Sequence, residues 1–316
     1  MKKDNHLIKR IILPLLLTAI MILLCGCAEI KITHPLSKDT ILEINDTECS
    51  SGTALLRLFE AREEYENAED AVLWDRMIGS TTLAEYVRNT VKDELLRFTA
   101  SQVMANDLTV FLSDAEQTEI QQKGTELFEH LTTKYDLSAY DVTVEDAIDL
   151  CMKRAYYNKV YEKLSENIYM EISEADTKAI SIDYVLIPAE DGIELAEQMR
   201  SEMKNGAAFM DVCNSYGYEE HMNVVETKGS MPSAFETHAY ALTDNELSEV
   251  VETKEGYYII YCLEDYMVAE SIANSNKIIT DGKRERFNEA YTEFAATNKM
   301  RFNNSEWEKL NIFAAE

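Results

Sequence analysis

The chain has 316 residues, 58 of them acidic against 30 basic, for a formal charge of −28. That balance excludes nucleic acid as a partner, because contacts to phosphates need clustered Lys and Arg, and it leaves anionic lipid headgroups repelled rather than attracted. No pair among the six cysteines has CxxC or metal-ligand spacing, and the five histidines form no HxxH or HxxxH pair, so no metal site is expected.

At the N-terminus, Lys2, Lys3, Lys9 and Arg10 precede the apolar run IILPLLLTAIMILL, Ile11 to Leu24. The run falls short of the roughly 20 residues a membrane-spanning helix needs. A basic start, a short apolar middle and small residues after it predict an export signal over residues 1–26. The end of the run, Leu24-Cys25-Gly26-Cys27, resembles a bacterial lipobox, with Cys25 where a small or aliphatic residue is usual. The resemblance implies that Cys27 is joined to diacylglycerol and becomes the mature N-terminus, outside the cytoplasm and anchored at the outer face of the cell membrane. A plain signal anchor is the other reading. Four basic residues and one acidic residue precede Cys27, so the remainder carries −31. Acyl chains, not electrostatic attraction, would then hold it to the membrane.

One short strand, ILEIND (Ile41 to Asp46), is expected before a long helical stretch from Thr53 to Ile172 that contains no proline. Helix starts are marked by Ser or Thr with an acid three residues on: Thr82 and Glu85, Ser113 and Glu116, Thr143 and Asp146, Ser173 and Asp176. Leu83, Val87, Val91, Leu95 and Phe98 recur at helical spacing, as do Ile148, Met152, Ala155, Tyr156 and Val160. A plain helical bundle and a cradle for unfolded chain both fit these helices.

At Ala179 the pattern changes to AISIDYVLIP, a strand with Ile182, Tyr184 and Leu186 on one face and Asp183, Val185 and Ile187 on the other. Helices follow in GIELAEQMRSEMKNG, which Asn205-Gly206 ends, and in AAFMDVCNSYG. ETKGSMPSAFETHAYAL reads as a loop with a helical turn, and NELSEVVETKEGYYIIYCLED as the closing strands. Cys213 and Cys262 fall in apolar patterns and are expected in the core, whereas Cys49 and Cys151 are left open.

Residues Ser181 to Asp265 resemble a parvulin-type peptidyl-prolyl isomerase through IDYVLI, NGAAFMDVC, GSMPSAF, AYALTDNELSEVVET and GYYII, in that order. The flanking helices then look like the chaperone domain of the SurA and PrsA foldases. The resemblance implies an α+β fold: a mostly helical chaperone domain over 27–175, an inserted parvulin-like unit over 176–267, and a segment 268–316 that packs back on the helices. Phe287, Tyr291, Phe294 and Trp307 lie in that last segment. Its partners would be unfolded or proline-containing secreted proteins, and the resemblance implies an isomerase that needs no cofactor.

In the parvulin pattern a methionine and a phenylalanine four residues later hold the proline ring, which assigns substrate binding to Met231 and Phe235 of GSMPSAF; helical spacing would put both on one face. The two catalytic histidine positions of the family fall on Tyr184 in DYVLI and Tyr258 in GYYII. A phenol keeps a ring and a polar tip, but its donor geometry differs from that of an imidazole. The family's third polar position falls in NSYGYEEHMNVVETKG, where Glu219, Glu220 and His221 are the candidates; His238 is expected at the surface. Loss of the histidines predicts weak or absent isomerase activity with the binding surface kept. An active tyrosine-based isomerase is the alternative within the enzyme class, and a structural or adaptor lipoprotein the one outside both.

Overall fold

A computed structural model describes residues 36–68, 72–170, 172–310 and residue 313. The signal over 1–26 and the lipid-accepting Cys27 lie outside the described residues. The fold is α+β and divides into two compact units, one made by residues up to Glu166 together with those from Lys283 on, the other by Asn167–Gly282. Among the described residues no helix is long and apolar enough to cross a membrane.

The first unit opens with β1 (Thr40–Ile44) and β2 (Thr47–Ser50), followed by α1 (Ser51–Ala68). A two-strand ribbon, β3 (Met77–Ile78) and β4 (Thr81–Thr82), leads into α2 (Leu83–Asp107), α3 (Asp114–Lys134) and α4 (Val144–Leu164). The expected single strand is thus one of several. β1 lies between β2 and a distant β9 (Met300–Phe302), pairing Leu42 with Phe302 and Ile44 with Met300. Strands of two to four residues are too short for a period-2 pattern, and β9 finds its partner some 250 residues away, which is why both escape a local reading. Phe287, Phe294, Trp307 and Phe302 are buried in one core with Leu42, Leu58, Val91 and Leu95, and Tyr291 is partly buried against it.

Local chemistry sets the helix starts. Ser113 and Thr143 each accept the backbone N–H three residues on, while Glu116 and Asp146 reach back to complete the box. The short α5 (Glu174–Thr177) has the same box from Ser173 and Asp176. Thr82 caps α2 through the Glu85 N–H, but the Glu85 carboxylate accepts from Thr81 at 2.6 Å instead of closing the box.

Leu83, Val87, Val91, Leu95 and Phe98 are all buried on α2. On α4 the buried positions are Ala147, Leu150, Lys153 and Val160, while Ile148, Met152, Ala155 and Tyr156 are half-buried, so the expected stripe is offset. The cause is that α4 packs against α1, α2 and α3, and no single stripe carries its burial. Gly124 of α3 packs directly on the α4 backbone: a Cβ there would lie 2.6 Å from Ile148 Cα. We expect Gly124→Ala to cost about 1–3 kcal/mol through overpacking, against a helix-propensity gain of about 1 kcal/mol. Urea unfolding should show a net loss; a stabilised variant would contradict the close packing.

The second unit is built on a four-stranded antiparallel sheet in the order β6-β5-β8-β7: β5 (Ala179–Pro188), β6 (Glu220–Thr227), β7 (Val251–Glu252) and β8 (Gly256–Glu264). β6 was not expected, since its segment EHMNVVET is polar and mostly exposed at a sheet edge and shows no alternation. As the strand periodicity requires, Val185 and Ile187 enter one core with Ile259, α6 (Ile193–Lys204) and α7 (Phe209–Tyr216), while Ile180 and Ile182 enter another with Ile260 and α8 (Ser233–Ala239). Cys213 and Cys262 are buried on opposite faces, and all four cysteines of the described residues, including Cys49 and Cys151, are free thiols. A long helix, α9 (Val268–Thr297), follows the sheet, and α10 (Asn304–Trp307) follows β9.

Candidate functional site

The α8 side of the second sheet collects the residues singled out by sequence. Tyr184 of β5 and Tyr258 of β8 share this face, but in register Tyr184 opposes Ile260 and Tyr258 opposes Leu186. The two phenols are therefore diagonal neighbours, with ring centroids 6.0 Å apart. Phe235 of α8 lies edge-on to both, at 5.3 Å from Tyr184 and 5.0 Å from Tyr258. Phe235 is 1% exposed and Tyr258 3%, whereas Tyr184 and Met231 are half-buried and packed against the same cluster.

Met231 does not lie on the helix with Phe235. It belongs to the loop before α8, which starts at Ser233, so the two are brought together by the turn at Pro232 and not by helical spacing. Glu236 fixes that loop: its carboxylate accepts from the N–H groups of Gly229 at 2.6 Å and Met231 at 3.2 Å. The Ser230 hydroxyl donates to Glu226 and to the Thr227 carbonyl, and the Tyr240 hydroxyl donates to the Glu226 carbonyl at 3.1 Å.

The polar tips of the two tyrosines differ. Tyr258 donates its hydroxyl proton to Glu255 at 2.7 Å. Among the described residues the Tyr184 hydroxyl has no hydrogen-bond partner, and no bond joins the two phenols across the sheet. Burial, then the Glu226 charge, raises the Tyr184 phenol above its ordinary value. Burial and the bond to Glu255 raise Tyr258 as well, and burial raises Tyr240. These phenols are neutral donors at physiological pH.

Of the three candidates for the remaining polar position, the structure places one beside Tyr184. His221 is its partner across the β5–β6 ladder, and the two rings stack with centroids 4.5 Å apart and planes at 19°. Glu220 opposes Val185, and Glu219 precedes the strand. His238 is exposed on α8 and approaches the Ala234 carbonyl at 2.8 Å. The pairing of His221 with Tyr184 passes through a bulge at Asn223, whose N–H donates to the buried Asp183 carboxylate at 2.7 Å. A bulge changes which residues share a face, so counting along the sequence does not place His221.

The raised phenols make alkaline pH a test of this face. A group whose folded pKa lies above its unfolded value contributes stability that is fully present below the unfolded pKa and lost as pH rises through the folded one. Tyr184, Tyr240 and Tyr258 all shift upward from 10.0. The unit should thus hold its melting temperature up to pH ~10 and lose it progressively above. A melting temperature flat from pH 9 to 12 would contradict their burial.

Chemically, the site is an apolar floor of Phe235, Met231 and the Tyr258 ring, with one free neutral phenol and one exposed imidazole at its edge. It suits a small apolar ring held against aromatic faces.

A family model described as "Rotamase: PPIC-type PPIASE domain" matches residues 189–264. That segment is therefore similar to a PPIC-type PPIase domain, in agreement with the parvulin resemblance of the sequence. No curated protein matches the chain. Among solved structures, a peptidylprolyl isomerase (PrsA) from Bacillus cereus is similar at 16% identity, over 70% of this chain and 88% of that one, with a TM-score of 0.34. The foldase protein PrsA from Lactococcus lactis aligns at 13% identity over 87% and 99%, with a TM-score of 0.31. The parvulin NmPin of Nitrosopumilus maritimus aligns at 23% identity over 27% and 96%, with a TM-score of 0.22. At these scores the structural likenesses carry no argument of their own.

Proposed function

We propose that this chain is an extracytoplasmic foldase, tethered through lipid on Cys27, whose parvulin unit grips proline-containing segments of secreted clients and turns them over weakly or not at all. The observation that carries the reading is the convergence of Met231, Phe235, Tyr258 and Tyr184 on one sheet face within a segment that matches an isomerase family. In this reading the signal covers 1–26, the helical chaperone domain 27–175, the parvulin unit 176–267 and the returning segment 268–316.

The chemistry required is rotation about the bond before proline, against a barrier of about 18–20 kcal/mol. No covalent bond need form; the site must hold the ring and favour the twisted amide over both planar forms. Met231 and Phe235 supply the grip. Lowering the barrier needs donors aimed at the twisted amide. Tyr258 already donates its hydroxyl hydrogen bond to Glu255, which leaves the Tyr184 phenol as the neutral donor at the pocket edge. One poorly constrained phenol in place of two histidines supports retention of binding and loss of rate. The helices then carry most of the client holding, and the parvulin unit adds proline-directed contact.

The test uses the chain from Ala28 onward with 13C-methyl methionine. A proline peptide should shift the Met231 methyl saturably, and the same peptide with alanine for proline should not. Met231→Ala should leave suppression of client aggregation largely intact. Equal response to the two peptides would remove the prolyl assignment. Loss of aggregation suppression in Met231→Ala would move the function to the parvulin unit.

A further inference from the structure

The carboxylates around the prolyl pocket lack the ion pairs common in the helical unit. There, Arg57 pairs with Glu94 and Glu64, Arg154 with Glu60, and Lys159 with Glu116. At the pocket, a carboxylate bears on each of the three phenols: Glu226 on Tyr184, Glu255 on Tyr258, and Glu236 with Glu226 on Tyr240. Among the described residues none of the three carboxylates is in an ion pair; their hydrogen-bond partners are the Ser230 and Tyr258 hydroxyls and loop N–H groups.

Little in this segment offsets them. Residues 189–264 hold sixteen acidic residues against Arg200, Lys204, Lys228 and Lys254. Arg200 and Lys204 belong to α6, which packs with the opposite sheet face, and Arg200 is engaged with the Ser248 carbonyl at 2.6 Å and with Glu249. Lys254 is exposed in the turn beside Glu255, and Lys228 lies over the Tyr240 ring at 5.6 Å. Glu226 is buried beside the loop that carries Met231, and Glu255 is tied to the ring that backs Phe235. The pocket is thus flanked by carboxylates at both its loop and strand sides, over a low-dielectric aromatic floor that strengthens their field.

We propose that Glu226 and Glu255 are specificity-determining residues that make this pocket select proline flanked by a basic residue, Lys or Arg, and reject proline beside Asp or Glu. The inference rests on the prolyl assignment above and names the client class it implies: cationic, proline-containing segments of unfolded chain. A bound cation supplies the counter-charge that the fold leaves out, while an acidic neighbour meets like charge on both sides.

The experiment is a peptide series of fixed length with Lys, Ala or Glu beside a central proline, titrated into the chain from Ala28 onward and read at the Met231 methyl. The Lys peptide should bind roughly three- to ten-fold tighter than the Ala peptide at low salt. The Glu peptide should bind more weakly still, and high salt should compress the series. In Glu226→Gln and in Glu255→Gln the Lys-to-Ala ratio should fall toward one. Glu255 is exposed, so that variant keeps the test valid if the buried Glu226 change disturbs folding. Equal binding of the Lys and Ala peptides overturns the selectivity and leaves the prolyl pocket standing. An unselective response that persists when proline itself is replaced by alanine removes the pocket, and the selectivity with it.

Discussion

Gly256→Ala is expected to cost roughly 4 kcal/mol or more and to unfold the sheet that carries Tyr184 and Tyr258. Gly256 opens β8 at φ 138°, where a side chain is strained whatever room it has. It also has no room. A Cβ would overlap the Ile187 carbonyl oxygen and come within 3.2 Å of the Ala189 nitrogen, both backbone atoms that a rotamer change cannot move. Two residues on, Tyr258 takes its place in the core, so displacement of the strand start displaces the ring that backs Phe235. Hydrogen exchange should show lost amide protection across β5 and β8. Protection equal to that of the parent chain would contradict the backbone geometry at this turn.

Lys153→Ala should destabilise the helical unit by about 3 kcal/mol, at the low end for breaking a buried ion pair. The side chain is 1% exposed, and its Nζ donates to Asp149 at 2.6 Å and to Gln102 at 3.2 Å. Thr53 donates to the other Asp149 oxygen at 3.0 Å, so the Lys153–Asp149 pair of α4 is joined to α1 through Thr53 and to α2 through Gln102. Asp149 is itself partly exposed, so the carboxylate left behind is partly solvated, which sets the low end. Lys153→Met keeps most of the buried stem and should recover a share of the loss. Trp74 and Trp307, both in this unit, make tryptophan fluorescence in urea the natural readout. A Lys153→Ala cost below about 1 kcal/mol would mean that the network is incidental.

What was legible in the sequence was local. The Ser113, Thr143 and Ser173 boxes could be read because their hydrogen bonds close within three residues. The α2 stripe could be read because that helix buries one face, while α4, surrounded by three helices, has none to read. β6 and β9 were hidden because pairing, not composition, makes them strands. At the candidate site, Tyr184, Tyr258, Met231 and Phe235 were singled out by the parvulin resemblance, and what the structure adds is that the four pack on one sheet face. The diagonal offset of the tyrosines and the Tyr258–Glu255 bond needed the register. His221 needed the bulge at Asn223, for which the only sequence signal was an asparagine, a residue that tolerates positive φ, inside a polar run.

The most direct test of a pocket that holds proline without turning it is peptide-observed NMR exchange. An Xaa-Pro peptide, whose uncatalysed interconversion takes tens to hundreds of seconds, is measured alone and with the chain from Ala28 onward. The account predicts a shifted Met231 methyl with cis–trans exchange at or barely above the uncatalysed rate. Marked acceleration that vanishes in Met231→Ala would contradict it and establish a working tyrosine-based isomerase.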